Sequence, residues 1–239
     1  MRNVIAIGLV AATASACSAG RGESGGQTVD RTFPVGAFEQ IDVAGPYDVA
    51  VRTGANPSVA ARGPEKMMER TIVEVQGGKL VIRPREKRGF NFGWSNDDAI
   101  QVTVTVPRLR SATIAGSGGI RVDRVQGDNF DGQIEGSGEI DLGAVEVQDL
   151  TLGISGSGEA RARQGRARNV NYTIAGSGGI DARQVTSETA EVSIAGSGNI
   201  AAHAAKTASV DIAGSGDVEV TGGAQCKVNK AGSGDVRCS

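Results

Sequence analysis

Apolar and polar residues alternate through the second half of the chain in blocks of about 20 residues, a repeat length found in solenoids. In the first block, Ile114 precedes a Gly-Ser-Gly segment and Ile120 follows it, with polar or small residues between the apolar positions. Alternation with a period of two predicts a strand with one buried face on either side of each Gly-Ser-Gly. The apolar spacing of three and four that indicates a helix is absent. The first glycines of the successive segments are Gly116, Gly136, Gly156, Gly176, Gly196, Gly214 and Gly232.

The Gly-Ser-Gly segments are the predicted corners between these strands, because glycine accepts positive φ angles and lets neighbouring backbones approach closely. A fixed period of this length is typical of solenoids, in which each coil buries its apolar face against the next. At about 3.3 Å per residue, one coil has a perimeter of about 60–66 Å, which suits an all-β fold, a parallel β-helix with coils about 4.8 Å apart. The last two repeats are shorter than the others, and we expect them to lose part of a loop while their corners stay stacked. The corner glycines are Gly116, Gly118, Gly136, Gly138, Gly156, Gly158, Gly176, Gly178, Gly196, Gly198, Gly214, Gly216, Gly232 and Gly234.

Two groups of charged residues occupy predicted outward positions. The position five residues after each first corner glycine predicts a ladder of mostly alternating charge that would fix the register of the coils. A charged binding stripe is the alternative interpretation. Four arginines near one coil indicate either a solvated face or a contact for an acidic glycan or a lipid headgroup. The ladder consists of Arg121, Asp141, Arg161, Asp181, Ala201, Glu219 and Arg237, and the second group of Arg161, Arg163, Arg166 and Arg168.

Residues 1–16 form a predicted secretory signal peptide, with a basic start, a short apolar core and small residues at its end. Cleavage at Ala-x-Ala would release a soluble protein, whereas cleavage at a lipobox would leave Cys17 modified with diacylglycerol, as in bacterial lipoproteins. We favour lipidation of Cys17, although Ala14 stands where the usual lipobox has leucine. By analogy with such lipoproteins, Ser18 after the cysteine would direct the chain to the outer membrane. The Gly/Ser-rich residues 17–29 are a predicted flexible tether.

Residues 30–239 are predicted to form a single β-helix domain, irregular over residues 30–110 and regular over residues 111–239. Residues 41–49 echo a corner with its flanking strands and indicate a degenerate first coil. Residues 76–79 are a predicted turn between two strands. Because the terminal coils of solenoids must cap an open core, the irregular part is the expected cap. Further strand candidates lie at Val51, Val59 and residues 72–75, 80–82 and 100–106.

Cys226 and Cys238 flank the last corner at positions that are apolar in earlier coils, so both side chains are expected to point inward. With Cys17 lipidated, they are an even pair in an oxidising compartment. We therefore predict a disulfide that holds the final coil, with two buried free thiols as the alternative.

Several segments follow one another in a recognisable order. They are Phe38-x-x-Ile41-x-Val43-x-Gly45, Tyr47-Asp48-Val49, Gly78-Lys79-Leu80-x-Ile82 and Val102-Thr-Val-Thr-Val-Pro107-x-Leu109, followed by serial Gly-Ser-Gly-x-Ile. Over residues 33–239 this order resembles the head GIN domain of auto-transporter adhesins, a bacterial envelope family. The resemblance implies a right-handed parallel β-helix outside the cytoplasm, and it implies no catalytic residues.

The segment between two predicted strands at residues 83–98 is the candidate binding loop. Its aromatic residues are close in sequence and stand beside a basic residue, a composition that suits a glycan or protein ligand. The alternative is that the aromatic side chains fold back and cap the first coils. The residues concerned are Arg88, Phe90, Phe92 and Trp94.

The composition argues against several other functions. A net charge of −2 gives no electrostatic case for nucleic acid. His203 is the only histidine, so no nucleophile–histidine–acid set is available. Glycine-rich phosphate loops precede helices, whereas these corners precede strands. Asp217 and Asp235 follow corners, but calcium-binding β-helix repeats have a much shorter period. We expect no catalytic residues, no metal ion and no cofactor.

The sequence therefore predicts a non-enzymatic envelope lipoprotein whose β-helix serves adhesion or surface interaction. A soluble periplasmic binding or structural module is the first alternative. A carbohydrate-active enzyme is the second, because polysaccharide lyases also use β-helices, although fold does not imply function.

Overall fold

A computed structural model describes residues 27–85 and 99–239, which consist almost entirely of β-strands. The first half contains β1 (Thr28–Phe33), β2 (Gln40–Ala44), β3 (Tyr47–Thr53), β4 (Ser58–Pro64), α1 (Glu65–Met68), β5 (Thr71–Gln76), β6 (Lys79–Pro84) and β7 (Ile100–Val106). The second half contains β8 (Ser111–Gly116), β9 (Gly119–Gly136), β10 (Glu139–Gly156), β11 (Glu159–Ala162), β12 (Gly165–Gly176), β13 (Gly179–Asp181), β14 (Val185–Thr186), β15 (Thr189–Gly196), β16 (Asn199–His203), β17 (Thr207–Gly214), β18 (Asp217–Thr221), β19 (Gln225–Gly232) and β20 (Val236–Cys238).

The second half is a solenoid of parallel coils, as the repeat predicts. Strand β10 pairs in parallel with β9 and β12, one repeat away in either direction, so Ile140 lies beside Ile120 and Gly156 beside Gly176. Strands β15 and β17 belong to a shorter repeat, yet their corners stay aligned, with Gly196 beside Gly214. The shorter coil has no counterpart of β14; residues 204–206 connect β16 to β17 directly. The shortening therefore affects a connection and not a corner.

Stacked apolar columns fill the inside of the solenoid. The column that follows each corner is fully buried from Ile120 to Val218, with no member more than 2% exposed. Where the column before the corners contains Gly132, Leu152 and Phe130 occupy the space, since a Cβ on Gly132 would lie 2.8 Å from Leu152 Cδ2 and 3.3 Å from Phe130 Cε1. The core is therefore packed continuously from coil to coil.

The corners themselves are held by backbone hydrogen bonds between coils. Ser177 N donates to Gly156 O at 2.9 Å, and Gly179 N donates to Gly158 O at 3.1 Å. Gly176 has a φ of 137°, and its Cα faces the carbonyl of Gly156 so closely that a Cβ there would overlap with it. These positions need glycine both for the backbone angle and for the close approach.

The first half continues the stack and then departs from it. Strands β2 and β3 pair in parallel with β8 and β9, with Gly45 (φ 119°) at the corner, so residues 41–49 form the predicted degenerate coil. Strands β7 and β6 extend this coil in parallel, and β4, β1 and β5 add antiparallel strands at the edges. The turn between β5 and β6 has positive φ at Gly77 and Gly78, as its sequence predicts.

Two details of this half differ from the prediction. Strand structure begins at Thr28, inside the expected tether, because β1 pairs with β4 along its whole length. The short helix α1 was not foreseen; it buries Met68 in the core, and Thr71 Oγ1 donates to Met67 O at 2.9 Å. Within the described residues, no helix is long and apolar enough to cross a membrane.

The last coil closes with a disulfide between Cys226 and Cys238, whose Cα atoms lie 6.6 Å apart. The pair is confirmed, although neither side chain is fully buried: Cys226 is half-buried and Cys238 is exposed. Both occupy inward columns, beside Ala208 and Val220. They remain accessible because no further coil of the described chain covers them.

Lys230 occupies the inward isoleucine column of this last coil, directly beside Ile212. Its Nζ donates to Gly234 O at 2.6 Å. An inward-pointing charge at a sheet edge opposes pairing with another chain, because the ammonium group would have to lose its water. Val228, at 42% exposure, is the large apolar residue that this end leaves open.

Replacing Lys230 should therefore make the end associate. We expect Lys230→Ile to strengthen self-association at least about tenfold, because the buried isoleucine side chain would add apolar contact and remove the desolvation penalty. Sedimentation velocity over a concentration series measures it. Lys227→Ile on the outward side of the same strand is the matched control and should behave as the wild type. Equal behaviour of both variants would contradict this role of Lys230.

The two tyrosine hydroxyls in the core differ in their hydrogen bonding, which allows a direct comparison. Tyr172 is 1% exposed and its hydroxyl has no hydrogen-bond partner within the described structure, whereas the Tyr47 hydroxyl contacts Thr71 Oγ1 at 3.2 Å. A buried hydroxyl without a partner is destabilising. We expect Tyr172→Phe to raise the free energy of unfolding by about 1 kcal/mol and Tyr47→Phe to lower it by about 1 kcal/mol. Urea denaturation measures both; a loss of stability in Tyr172→Phe would mean that the hydroxyl has a partner.

Burial also makes stability depend on alkaline pH. Desolvation raises the pKa of Tyr172 and of Tyr47 above the ordinary value of 10.0. In Tyr47 the hydrogen bond with Thr71 acts to lower the pKa, but desolvation is the larger effect. A raised pKa contributes stability that is complete below the unfolded-state pKa and is lost as pH rises towards the folded-state pKa. We therefore expect stability to fall above about pH 10, with tyrosinate absorbance appearing only as the protein unfolds. Tyrosinate absorbance that appears at a lower pH than the loss of the β-sheet circular dichroism signal would contradict this expectation.

Candidate functional site

Each coil consists of three segments. In the coil that contains β13, β14 and β15, each segment is a separate strand. We call the outward side of the first segment, three, five and seven residues after the first corner glycine, the charged face. We call the outward side of the last segment, seven, five and three residues before that glycine, the amide face. Because strand residues alternate in direction, both faces are columns of side chains that repeat from coil to coil.

Ion pairs cover the middle coils of the charged face. Arg163 donates from Nε to Asp141 Oδ1 at 2.8 Å and pairs with its second oxygen, and Asp141 is only 6% exposed. Arg161 lies 3.0 Å from Glu139 and 2.6 Å from Glu159. The side-chain hydrogen bond with Asp141 raises the pKa of Arg163. The middle coils of this face are therefore linked by a network of internal ion pairs.

These pairs correct the predicted charge ladder. The register is as expected, with Asp141 between Arg121 and Arg161, but Asp141 pairs with Arg163, and Arg161 pairs with glutamates of another column. A long guanidinium side chain reaches past a short carboxylate directly beside it. Asp141 is also nearly buried, although it stands on the outward side of its strand.

The four clustered arginines are mostly neutralised. Besides Arg161 and Arg163, Arg168 lies 3.8 Å from Glu188. The hydrogen bond from Lys206, more than the pairing with Arg168, lowers the pKa of Glu188. Three of the four arginines thus have carboxylate partners, which leaves little free positive charge for an acidic ligand.

Asn199 and Asp217, just after two corners, accept hydrogen bonds from the backbone of the next coil. Asn199 Oδ1 accepts from Asp217 N at 3.2 Å, and Asp217 Oδ1 accepts from Asp235 N at 2.8 Å. Among residues 27–85 and 99–239, no group of three or more His, Cys, Asp or Glu side chains is arranged to hold a metal ion. A depression of about 370 Å³ nearby, where Gly179 and Ala201 leave space, is bordered by the Arg183 ion pairs with Asp181 and Glu219.

The amide face has a different chemistry. Its four carboxylates each accept a hydrogen bond from an asparagine or glutamine amide, and within the described structure none of them takes part in an ion pair. The face contains no arginine, and threonine and serine fill most other positions. The pairs are Gln133 with Asp131 (2.8 Å), Asn169 with Asp149 (2.7 Å), Asn171 with Glu191 (3.4 Å) and Asn229 with Asp211 (2.8 Å).

A trough of about 730 Å³ runs along the amide face parallel to the solenoid axis. It crosses five coils, and each coil contributes one polar side chain to either side. One side consists of Asp149, Asn169, Thr189, Thr207 and Gln225, and the other of Thr151, Asn171, Glu191, Ser209 and Lys227. Sequence reasoning missed this feature, although alignment on the corner glycines places each set in one column.

The candidate binding loop with Arg88, Phe90, Phe92 and Trp94 lies outside the described residues. Its ends can be located. Strand β6 pairs with β2 just before the Gly45 corner, and β7 pairs with β3 just after it. Both ends of the described chain next to this loop thus lie at the row of corners.

Comparison with known proteins supports one family. The sequence model of the family described as "Putative auto-transporter adhesin, head GIN domain" matches residues 37–224. Comparison with curated proteins finds no match. A solved structure described as a putative adhesin from Bacteroides fragilis is similar with a TM-score of 0.77 at 23% identity, covering 89% of this chain and 97% of that chain.

Two further structures have the same fold. One, described as a putative lipid binding protein from Parabacteroides distasonis, has a TM-score of 0.72 at 22% identity over 90% of this chain and 97% of that chain. A putative adhesin from Parabacteroides merdae has a TM-score of 0.63 at 18% identity over 90% of this chain and 97% of that chain. The resemblance to the family predicted from the sequence is confirmed, and the chain belongs to the head GIN domain family of auto-transporter adhesins.

Proposed function

We propose that the chain is a non-enzymatic lipoprotein of the bacterial cell envelope that uses its solenoid as a rigid scaffold for adhesion. The observation that carries the proposal is the pair of continuous polar faces, fixed on stacked coils, in a member of an adhesin family. A stack of backbone-bonded coils loses little conformational entropy when its surface binds a partner, which favours extended contacts over a flat face. Ion pairs occupy the middle coils of the charged face, so the amide face is the better candidate for contact.

Export is supported by the cysteines. A disulfide between Cys226 and Cys238 fits an oxidising compartment, where such bonds persist. Cys17 at the end of an apolar leader fits a lipid anchor, and the Gly/Ser-rich segment after it would let the scaffold stand off the outer membrane.

Intact mass tests the anchor. We expect the chain purified from its native membrane to begin at Cys17 with an added mass of diacylglycerol size. The Cys17→Ala variant should lack that increment and leave the membrane fraction. A cleaved, unlipidated wild-type chain in the soluble fraction would overturn the anchor and favour a soluble periplasmic binding module.

Attachment tests adhesion. Cells that carry the chain should attach to a host or matrix surface more than cells in which it is deleted, and restoring the chain should restore attachment. The Cys17→Ala variant, which should lack the anchor, is the control that distinguishes an effect of the anchored chain from an effect of the protein's presence alone. Equal attachment with and without the anchored chain would overturn the adhesion proposal.

The loop with Phe90, Phe92 and Trp94 is a second proposed contact for a glycan or protein, with capping of the first coils as its alternative. Trp94 is the only tryptophan, so its fluorescence reports on this loop alone. Strong quenching by acrylamide would support an exposed contact. Protection from acrylamide would support the cap and remove the loop as a binding site.

A further inference from the structure

We infer that the trough of the amide face binds an extended, uncharged polysaccharide. The inference rests on the proposed function, because it names the class of molecule that the scaffold would hold. Three properties of the trough support it: its hydrogen-bonding groups, its charge and its dimensions.

The lining groups suit sugar hydroxyls, which both donate and accept hydrogen bonds. Amides and hydroxyls offer both roles, and carboxylates accept through two oxygens. Asp149 Oδ1 accepts from Asn169, whose Oδ1 in turn accepts from Thr189 Oγ1 at 2.9 Å. The second oxygen of Asp149 makes no hydrogen bond within the described structure, and the carboxylate, already fixed by Asn169, belongs to the lining of the trough. Such fixed groups lose little freedom when a ligand binds.

The charge of the trough disfavours anionic ligands. Its lining has two carboxylates, Asp149 and Glu191, and one cation, Lys227 at the last coil. No arginine lies among the lining residues, whereas acidic glycans and phosphate groups are recognised by paired basic side chains. An acidic chain lying in the trough would be repelled by the two carboxylates, and Lys227 at the last coil offsets only one of them. An uncharged chain would not be repelled.

The dimensions suit a linear polymer. The trough crosses five coils, hence four steps of about 4.8 Å, or about 19 Å in all. This step is close to the length of one sugar unit in an extended chain, so successive units would meet the same pair of positions on successive coils. The lining contains no aromatic side chain, so affinity would come from repeated hydrogen bonds and would grow with chain length.

The test uses the full mature chain and a panel of polysaccharides in affinity electrophoresis. The probes are cellulose oligosaccharides of increasing length, mannan, xylan, dextran and chitin fragments, with polygalacturonate as the acidic comparison. We expect at least one uncharged polysaccharide to retard the protein, with affinity that rises with oligosaccharide length and levels off once the chain spans about 19 Å. Polygalacturonate should not retard it.

Two variants locate the site. Asn169→Ala combined with Asn171→Ala should weaken binding about tenfold or more, because two lining amides are lost. Gln126→Ala is the matched control: its amide also bonds a carboxylate of the next coil, Glu146 at 3.0 Å, but lies outside the trough. It should bind as the wild type does. Melting temperatures equal to that of the wild type would show that the fold of both variants is intact.

Three results would overturn the inference: no binding to any uncharged polysaccharide, stronger binding to polygalacturonate, or undiminished binding by the double variant. If the purified chain binds no polysaccharide while anchored cells still attach through it, the polysaccharide assignment fails alone. If attachment is also absent, the proposed function fails with it.

Discussion

Replacing the corner glycine Gly176 by alanine should destabilise the protein by about 3 kcal/mol or more. Gly176 has a φ of 137°, and an added Cβ would overlap with the carbonyl oxygen of Gly156 in the coil below. The neighbouring coil cannot move away without breaking the hydrogen bond from Ser177 N to Gly156 O. Backbone strain and the steric overlap therefore act together. Thermal and urea unfolding of the variant measure the loss.

The same corner provides its own control. Gly179 stands three residues later, outside the left-handed region, and an added Cβ there would find no atom nearer than Asn199 O at 4.0 Å. Gly179→Ala should therefore be neutral or stabilising by about 0.5–1 kcal/mol, because alanine restricts the unfolded chain. Equal losses in both variants would show that the corner does not depend on close approach of the coils.

Removing the disulfide should open the last coil without unfolding the rest. With both Cys226→Ser and Cys238→Ser, we expect amide hydrogen exchange in β19 and β20 to speed up about 100-fold, the equivalent of about 3 kcal/mol for a closed loop of this length. Solenoid coils depend mainly on their neighbours, so exchange in β10 should stay unchanged. Hydrogen exchange with mass spectrometry, on the variant and on the reduced wild type, measures both regions.

The contrary outcomes are distinct. Unchanged exchange in β19 would mean that its pairing with β17 suffices to hold the coil. Equal acceleration in β10 and β19 would mean that the solenoid unfolds as one cooperative unit and that the terminal disulfide stabilises all of it.

The columns that alternate around each Gly-Ser-Gly predicted the coils correctly because side-chain direction in a strand is a local property. Ile120, Ile140 and Ile180 are buried as their spacing predicts. The inward position of Cys238 was also predicted. Its exposure was not, because the comparison with earlier coils assumes that a coil lies on both sides. End effects of this kind depend on which neighbour is present.

The ion-pair partners of long side chains and the pairing of the irregular strands could not be predicted from the sequence, for a different reason. The partner of Asp141 depends on how far the Arg163 side chain reaches between coils, and α1 and the antiparallel pairing of β1 with β4 depend on tertiary contacts. The alignment places Asn169 and Thr189 in one column, yet only the folded structure reveals the hydrogen bonds between them and the trough beside them.

Antibody labelling of intact cells shows whether the solenoid stands on the outer surface, as adhesion requires. We expect labelling of the anchored chain on intact cells, and loss of that label when Cys17 is replaced by alanine. Labelling that appears only after the outer membrane is permeabilised would contradict adhesion and would identify the chain as a periplasmic module.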